Sequence, residues 1–237
     1  MAGDTARPVS PKSTTFVPLA RDLASTGRRF YARGWALGTS GNLSVVLSQR
    51  PFRLAITASA VHKGALRPSQ ILQINERGSV IGGRRKDARP SAEALLHLEI
   101  VRRRGAAAVL HTHSVWSTML SELHSAEGGV ALEGYEMLKG LSGVRTHEHR
   151  EWVPIIENDQ DMPRLARAIA DVLQQNDVPH LPRAFLLRRH GLYTWGKTLA
   201  EAERHVEILE FLFETVGRLS TLSTREKEGR HGAGQNP

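Results

Sequence analysis

The sequence contains no cysteine among its 237 residues. Disulfides, zinc–thiolate sites and cysteine nucleophiles are therefore excluded, and the composition fits a protein of the reducing cytoplasm. A bound transition metal would have to be held by histidine and carboxylate side chains.

Long apolar runs are also missing. No stretch of about 18 apolar residues exists, so we expect no transmembrane helix. The opening stretch, MAGDTARPVSPKSTTF, is polar and lacks the hydrophobic region of a secretory signal. Both absences predict a protein without a membrane partner.

Acidic residues are fewer than basic ones, and the formal net charge is +8. Residues 1–14 and 222–237 each contribute one positive charge, so most of the excess lies on the body of the chain. This balance favours an anionic partner, either nucleic acid or a phosphorylated small molecule. The basic loop at residues 82–89 has no interleaved aromatic residues for stacking on bases, so we expect no nucleic-acid partner.

The apolar pattern predicts one domain over residues 15–222, with flexible tails at 1–14 and 223–237. Apolar residues at helical spacing alternate along the chain with short alternating or continuous apolar runs. The predicted helices cover 16–33, 91–104, 114–124, 162–175 and 198–219, and the predicted strands cover 42–47, 54–57, 71–75, 107–112 and 184–188. Such an alternation indicates an α/β domain whose helices flank a sheet.

The stretch VLHTHSVWSTML begins as an apolar strand and ends in two histidines one residue apart. Alternate side chains of a strand point to the same face, so His111 and His113 present two imidazoles on one side. This spacing suits two ligands of one metal ion. The simpler alternative is one buried and one exposed histidine without a metal.

A third ligand is needed for a catalytic zinc site. His190 is the candidate, because it follows the apolar run AFLLRR and therefore lies at a second strand end. His147 and His149 form another pair, but their polar surroundings indicate a solvated loop. His97 and His205 fall within predicted helices, where we expect them at surface or boundary positions.

Two further stretches have the composition of phosphate-binding turns. TSGNLSV contains Ser40, Gly41 and Asn42 just before a strand, and ITASAVHKG adds Ser59 and Lys63 after another. Small residues allow backbone N–H groups to approach an anion. Each stretch alone would be read as a tight turn, whereas together in a basic chain they favour phosphate binding.

Seven motifs carry a resemblance to a known family: GTSGNLS, ITASAVHKG, PSAEALLH, VLHTHS, GYEMLKG, VPIIENDQD and RRHGLYTWG. In this order they resemble the class II aldolase/adducin family over roughly residues 16–219. HTHS and the late HG are shared across that family. EMLKG, IIENDQD and HGLYTWG resemble its dehydratase branch more than its aldolases or pentose-phosphate epimerases.

The resemblance implies a three-layer α/β/α fold with a central, largely antiparallel sheet. It also implies a homotetramer with active sites at the subunit interfaces. One zinc ion per subunit would be held by His111, His113 and His190. The implied activity is that of a lyase, dehydrating a phosphorylated methylthio ketose in methionine salvage.

The resemblance offers two glutamates as acid and base. The glutamate of the EMLKG-type motif, which acts in the dehydratases, corresponds to Glu136. The glutamate of the PS-x-E motif, which acts in the aldolases, corresponds to Glu93, so Glu93 and Ser91 are expected near the metal or the substrate. Simpler roles stay open: Glu136 could pair with Lys139, and Glu93 could complement a helix dipole. Lys139 could face the phosphate or solvent.

Other functions fit parts of the sequence. An aldolase or 4-epimerase acting on another sugar phosphate would use the same metal site. A metal-free scaffold like the adducin head domains would have no need for the three histidines. One departure from the family concerns the phosphate turn, where many members have Ser-Gly and this chain has Ser59 followed by Ala60.

Overall fold

The computed structural model describes residues 16–83, 88–174 and 182–232, with side chains to residue 222. The predicted tail at 1–14 and most of the charged part of the basic loop lie outside the described residues. The helices are α1 (Phe16–Ala32), α2 (Ala94–Arg104), α3 (Val115–Leu123), α4 (Met162–Gln174) and α5 (Leu199–Gly232). The strands are β1 (Asn42–Gln49), β2 (Phe52–Thr57), β3 (Ile71–Ile74), β4 (Val80–Gly82), β5 (Ala108–Thr112), β6 (Gly129–Leu132), β7 (Glu151–Ile156), β8 (Ala184–Leu187) and β9 (Gly191–Gly196).

The strands described form one sheet in the order β4-β3-β2-β1-β5-β9-β8-β7-β6. Neighbouring strands are antiparallel except β7 and β8, which are parallel. The central strand β5 pairs with β1 on one side and β9 on the other, with His111 opposite Asn42 and Tyr193. This pairing brings three candidate motifs to one end of the sheet.

Helices cover both faces of the sheet. Along β8, Phe185 and Leu187 belong to a hydrophobic cluster shared with α1, α2 and α4. The intervening Ala184 and Leu186 belong to a second cluster, shared with α3 and α5. Because alternate residues of a strand face opposite sides, the chain has three layers. The predicted α/β/α fold class is confirmed.

Local capping explains where the helices begin. Ser114 Oγ accepts the N–H of Ser117 at 3.0 Å, and Asp161 Oδ1 accepts the N–H of Arg164 at 2.9 Å, so α3 and α4 start where the sequence predicted. The predicted start of α2 at Ser91 is wrong by three residues. Ser91 Oγ instead accepts the N–H of Glu93 in a turn that precedes the helix.

The last helix is longer than predicted. We expected α5 to end at Leu219 and a flexible tail to begin at residue 223, but the helical backbone continues to Gly232. A helical segment that projects into solvent needs no apolar face. The loss of apolar periodicity after Leu219 therefore did not mark the end of the helix. Residues 233–237 lie outside the described part. Among the described helices, none combines the length and hydropathy needed to cross a membrane.

Candidate active site

Three histidines at two strand ends bring their ring nitrogens together. His111 lies in β5, His113 follows the last residue of β5, and His190 directly precedes β9. Their Nε2 atoms are 2.8 Å (His111–His113), 3.1 Å (His113–His190) and 3.3 Å (His111–His190) apart. Ligands about 2.0–2.1 Å from a tetrahedral zinc ion lie about 3.3 Å from one another, so the cluster can hold one metal ion.

Hydrogen bonds on the other ring nitrogen orient two of these histidines. His111 Nδ1 donates to the carbonyl of Leu192 at 2.9 Å, and His190 Nδ1 lies 3.4 Å from Asn158 Oδ1. A proton on Nδ1 leaves the Nε2 lone pair free for a metal. Burial lowers the pKa of His111 well below its usual value, and burial together with the charge of His190 lowers the pKa of His113 to about 4. Both rings are therefore neutral near pH 7, which is the metal-binding form.

Glycine allows two neighbouring strands to approach the histidine strand closely. Gly41, just before β1, has φ +71°, and a Cβ there would lie 2.6 Å from the carbonyl oxygen of His111. Gly191 opens β9, and a Cβ there would overlap the carbonyl group of Thr112. Any other residue at either position would push the backbone beside His111 and His113 out of place.

The carboxylate of Glu93 lies against the histidine cluster. Its Oε1 is 3.2 Å from His190 Nε2 and 3.8 Å from His111 Nε2, and its Oε2 accepts a hydrogen bond from Asn42 Nδ2. Burial alone raises the pKa of Glu93. The hydrogen bond to His190 and the charges that His190 and His111 carry when protonated outweigh burial, so the pKa lies well below its ordinary range. Glu93 is therefore an ionised carboxylate facing the candidate metal position.

A cavity of about 120 Å³ opens beside the cluster. Its lining contains every predicted phosphate-site residue except Lys139. The full lining is Thr39, Ser40, Gly41, Asn42, Ala58, Ser59, Ala60, Lys63, Ser91, Glu93 and His113. The two Gly- and Ser-containing motifs, separated in the sequence, therefore meet on one polar hollow next to the histidines.

Lys63 is the cation of this cavity. Its side chain is buried, and Nζ donates to the carbonyls of Thr39 at 3.0 Å and Val61 at 3.2 Å. Because an ammonium has three donors, one N–H remains for a ligand. Burial lowers the pKa of Lys63 to about 8, with Glu93 opposing the shift. The side chain is therefore mostly cationic at pH 7.

Ala60 lies at the position where the family resemblance leads us to expect glycine. Its φ is +56°, in the left-handed region that costs a residue with a side chain about 1–2 kcal/mol. The alanine nevertheless adopts the conformation that a glycine would favour, and it still lines the cavity.

The chain matches known proteins over the part that contains these motifs. The model of the "Class II Aldolase and Adducin N-terminal domain" matches residues 21–216, a range that contains the three histidines, Glu93 and the cavity lining. The chain belongs to the class II aldolase and adducin family.

Two relatives within this family are named methylthioribulose-1-phosphate dehydratase. The protein from Methylococcus capsulatus is 48% identical over 207 residues, covering 87% of this chain and 96% of its own length. The protein from Marinobacter nauticus is 41% identical over 213 residues, covering 90% of this chain and 98% of its own length. The match extends over nearly the whole of each relative.

Solved structures with this fold are more distant in sequence. YgbL from Escherichia coli, titled a candidate aldolase, epimerase or decarboxylase, gives a TM-score of 0.72 at 27% identity, covering 87% of this chain and 91% of its own. An L-fuculose-1-phosphate aldolase from Thermus thermophilus gives 0.67 at 25% identity, covering 91% and 99%. Proteins with this fold are thus named for more than one kind of reaction.

Glu136 and Lys139 lie away from the cavity. Glu136 begins a 3₁₀ helix, Glu136–Gly140, and its side chain is 72% exposed. It pairs with Lys139 at 2.5 Å and lies 3.8 Å from His147 Nδ1. The hydrogen bond to Lys139 is the main reason why the pKa of Glu136 is lowered. The pairing that the sequence offered as the simpler role is therefore present.

The same 3₁₀ helix packs at the far end of the central strands. Ser142, which follows it, donates its N–H to His205 Nε2 at 3.1 Å, and His205 Nδ1 donates to the carbonyl of Trp195 at 2.8 Å. Trp195 pairs with Val109 near the start of β5, whereas His111 lies near its end. The 3₁₀ helix and the histidine cluster are thus at opposite ends of β5 and β9.

Three histidines differ from their predicted surroundings. His97 and His205 were expected at surface or boundary positions, but both are buried. Each lies on the sheet-facing side of its helix and has hydrogen-bond partners on both ring nitrogens. His149 is also largely buried, against Glu151, whereas His147 is exposed as predicted. For His97, the overlooked signal is its spacing of four residues from Glu93, which places both on one helix face.

Proposed function

We propose that this chain catalyses the dehydration of 5-methylthioribulose 1-phosphate to 2,3-diketo-5-methylthiopentyl 1-phosphate, a hydro-lyase step of methionine salvage. The observation that carries this proposal is the convergence of three histidines and one carboxylate beside a cavity with a buried lysine. Two relatives named for this activity, matched over nearly their whole length, support the choice of substrate. A scaffold protein would have no use for such a cluster.

The proposed cofactor is one zinc ion per chain, on His111, His113 and His190. Three neutral imidazoles with an open fourth position suit catalytic zinc. When bound, zinc supplies a Lewis acid that polarises the substrate ketone and the hydroxyl beside it. The chain itself fixes the ring orientations through Leu192 and Asn158.

The cavity is the proposed phosphate site. The remaining N–H of Lys63 would donate to a phosphate oxygen, and the cationic charge would strengthen that bond. The hydroxyls of Ser40 and Ser59 line the same space. Gly41 and Ala60 leave room for backbone N–H groups to approach the anion. Because His113 also lines the cavity, a phosphate held there would leave the sugar carbons within reach of the histidine cluster.

Two proton transfers remain for the chain to perform. A base must remove the proton from the carbon between the ketone and the leaving hydroxyl, and an acid must protonate that hydroxyl, since hydroxide is a poor leaving group. We assign both transfers to Glu136, with Glu93 as the alternative. Glu93 already touches two of the histidines, whereas Glu136 is an exposed carboxylate that a substrate could meet.

Glu136 could serve a metal site only in an assembly. Its helix and the histidine cluster lie at opposite ends of β5 and β9, so Glu136 would act on the cluster of a neighbouring copy. We therefore propose active sites at subunit interfaces, in the homotetramer that the family resemblance implies. The exposed apolar side chains of Met119 and Leu123 on α3 line a groove of about 700 Å³ between α3 and α5. Exposed apolar surface of this kind is typical of subunit contacts.

A product assay tests the proposal. Purified protein, stripped and then reloaded with zinc, is incubated with 5-methylthioribulose 1-phosphate, and products are followed by mass spectrometry. Metal-dependent loss of one water is expected. No conversion by a protein whose metal content is one ion per chain would refute the proposed substrate.

A second candidate is an aldolase acting on a sugar phosphate. It is favoured by the position of Glu93, whose Oε1 is 3.2 Å from His190 Nε2. A carboxylate at this position could deprotonate the hydroxyl that dehydration must instead protonate. Cleavage of 5-methylthioribulose 1-phosphate into two carbon fragments, in place of the loss of water, would support the aldolase and exclude the dehydratase.

A further inference from the structure

A chain of buried hydrogen bonds connects the sheet interior to the histidine cluster. Ser44 Oγ lies 2.7 Å from His97 Nδ1, and His97 Nε2 is hydrogen-bonded to Asn42 Oδ1. Asn42 Nδ2 donates to Glu93 Oε2, and the other oxygen of Glu93 faces His190. Four side chains from β1 and the α2 region thus form a continuous path that ends at the candidate metal position.

The path has one consistent set of protons. A carboxylate only accepts, so the amide nitrogen of Asn42 must point to Glu93 and its oxygen to His97. His97 Nε2 therefore carries the proton that Asn42 accepts. His97 Nδ1 then accepts from the hydroxyl of Ser44. Burial lowers the pKa of His97 to about 4, with Glu93 opposing, so the ring keeps this neutral form over the working pH range.

The local structure explains why these side chains meet. Asn42 and Ser44 alternate along β1 and so share one face, while Glu93 and His97 are one helical turn apart. Asn42, Ser44 and His97 are buried, and buried polar groups of this kind are costly unless each has its partner. The His97 ring also meets the edge of Tyr193 (5.9 Å between centroids, 73° between planes).

Tyr193 gives His97 a second contact with the cluster. The tyrosine ring stacks on His111, with 3.9 Å between centroids and 11° between planes. His97 thus contacts Asn42, which binds the Glu93 carboxylate, and Tyr193, which stacks on the His111 imidazole. His97 itself lies in neither the cavity lining nor the histidine triad.

We infer that His97 is a positioning residue, which acts through Asn42 to hold the Glu93 carboxylate against the metal histidines. Glu93 Oε2 also accepts a hydrogen bond from the hydroxyl of Ser91 at 3.4 Å. Without the proton from His97, the Asn42 amide can rotate, and the carboxylate can shift towards this remaining, longer contact. The effect on turnover rests on the proposed function, whereas the effect on a bound metal does not. The effect on a bound metal is expected whether Glu93 is the acid and base or only a neighbour of the metal.

Two variants that each keep a different part of the histidine side chain test the inference. His97→Phe keeps the ring and its contact with Tyr193 but removes both hydrogen bonds. His97→Gln places an amide N–H near the position of Nε2 and so keeps the donor to Asn42. Loss of a residue that supports metal ligands costs about 10–100-fold in activity or metal affinity. We expect a loss of this size in kcat for His97→Phe, with KM little changed, and recovery of most of it in His97→Gln.

A double-mutant cycle separates positioning from folding. If His97 acts through Glu93, adding His97→Phe to a Glu93→Gln background should lower kcat by less than threefold, because the carboxylate it orients is absent. Equal losses in both backgrounds, or equal losses for His97→Phe and His97→Gln, would overturn the inference. So would a folded His97→Phe protein with wild-type kcat.

A readout without substrate keeps this test independent of the proposed reaction. Cobalt(II) replaces zinc as a spectroscopic probe, and its visible absorption depends on the groups around the metal. We expect His97→Phe, but not His97→Gln, to change the spectrum and weaken cobalt binding. If wild-type protein fails to dehydrate the substrate, the proposed function is lost while the cobalt result still decides the role of His97. An unchanged spectrum and affinity in His97→Phe would overturn the inference.

Discussion

The hydroxyl of Thr112 donates to Glu210 Oε1 at 2.8 Å, which ties α5 to the residue between two of the cluster histidines. Glu210 is buried, and burial raises its pKa to about 7, although hydrogen bonds with Ser114 and Thr112 oppose the shift. Helix α5, which covers one face of the sheet, thus places a carboxyl group with a raised pKa directly behind the histidine strand.

Glu210 predicts a pH-dependent stability. The folded chain keeps the proton of Glu210 up to about pH 7, whereas the unfolded chain releases it near pH 4.5. Stability from this group is therefore complete below about pH 4.5 and is lost as pH rises to about 7, by up to about 3 kcal/mol. Glu210→Gln should remove this component, since the amide still accepts from Thr112.

Urea unfolding at pH 5 and pH 8 measures the difference. Both proteins are stripped of metal, because metal binding to histidine is itself pH-dependent. The free energy of unfolding of Glu210→Gln, relative to that of wild type, should be about 2–3 kcal/mol higher at pH 8 than at pH 5. Identical pH dependence in the two proteins would show that Glu210 is ionised normally in the folded state.

Replacing one histidine of the cluster should remove metal and activity together. His111→Ala leaves two imidazoles, too few for a tight zinc site. Metal content after desalting should fall from one ion per chain to a small fraction, and turnover should fall at least 1,000-fold. The matched control is His147→Ala, which removes an exposed histidine and should keep the metal. Full metal content in His111→Ala would contradict the ligand set.

Glu136→Gln and Glu93→Gln distinguish the two proton-transfer assignments. With Glu136 as acid and base, Glu136→Gln should keep its metal and fold while kcat falls at least 100-fold, the lower range for a lost acid–base group. If Glu136→Gln stays fully active and Glu93→Gln does not, the assignment passes to Glu93.

Mixed assemblies test whether Glu136 acts on a neighbouring copy. Neither His111→Ala nor Glu136→Gln chains should turn over substrate alone. When the two are unfolded together and refolded, some sites will combine an intact cluster from one chain with an intact Glu136 from another. Activity should then return to a sizeable fraction of wild type.

The control for this experiment is a pair within one site. His111 and His113 lie in one cluster on the same chain, with their Nε2 atoms 2.8 Å apart. A mixture of His111→Ala and His113→Ala chains should therefore stay inactive, because every cluster lacks one histidine. Recovery in this control, or no recovery with Glu136→Gln, would contradict an acid supplied by a neighbour.

The sequence predicted the elements whose patterns are undisturbed. All five helices and the strands β1, β2, β3, β5 and β8 were found, and the family assignment from the motifs is confirmed. The strands β4, β6, β7 and β9 were missed, because β4 has only three residues and turn-type residues interrupt the others. Pro154 lies inside β7, and glycines stand at both ends of β9. At these positions partner strands, not local preference, decide the conformation.

The candidate site was predicted as separate pieces. Strand alternation suffices to place His111 and His113 on one face, and local turns indicate the phosphate motifs. Those turns meet because β1 pairs with β2, and they lie beside the histidines because β1 also pairs with β5, a long-range contact that no local pattern specifies. The contacts of His97 could not be predicted for the same reason, since His97 lies on α2 and its partners Asn42 and Ser44 lie on β1.

Gly191→Ala should distort the candidate metal site by displacing the backbone. The added Cβ would overlap the carbonyl group of Thr112, so β9 must move away from the histidine strand. Overpacking of this kind costs about 1–3 kcal/mol, and we expect weaker metal binding as well. Gly105→Ala is the control: it has φ +59° but open space around the new Cβ. It should cost about 1 kcal/mol and leave metal affinity unchanged. Equal metal affinities in the two variants would contradict the role of the close approach.

Lys63 predicts a distinctive pH profile. Because its pKa is lowered to about 8, the free chain loses this cation as pH rises past 8, and kcat/KM for a phosphorylated substrate should fall there. A bound phosphate stabilises the cation, so kcat at saturation should change less. Lys63→Gln should raise KM about 10–100-fold, the cost of a charge-assisted hydrogen bond.

Two variants that each remove one positive charge, Lys63→Gln and Arg53→Gln, decide whether the cavity is the phosphate site. Arg53→Gln lowers the net charge by the same amount, from an exposed position on β2. If phosphate recognition depends on Lys63 itself, only Lys63→Gln raises KM and loses the fall in kcat/KM above pH 8. If both variants raise KM alike, the chain attracts its substrate through overall charge, and the cavity is not the phosphate site.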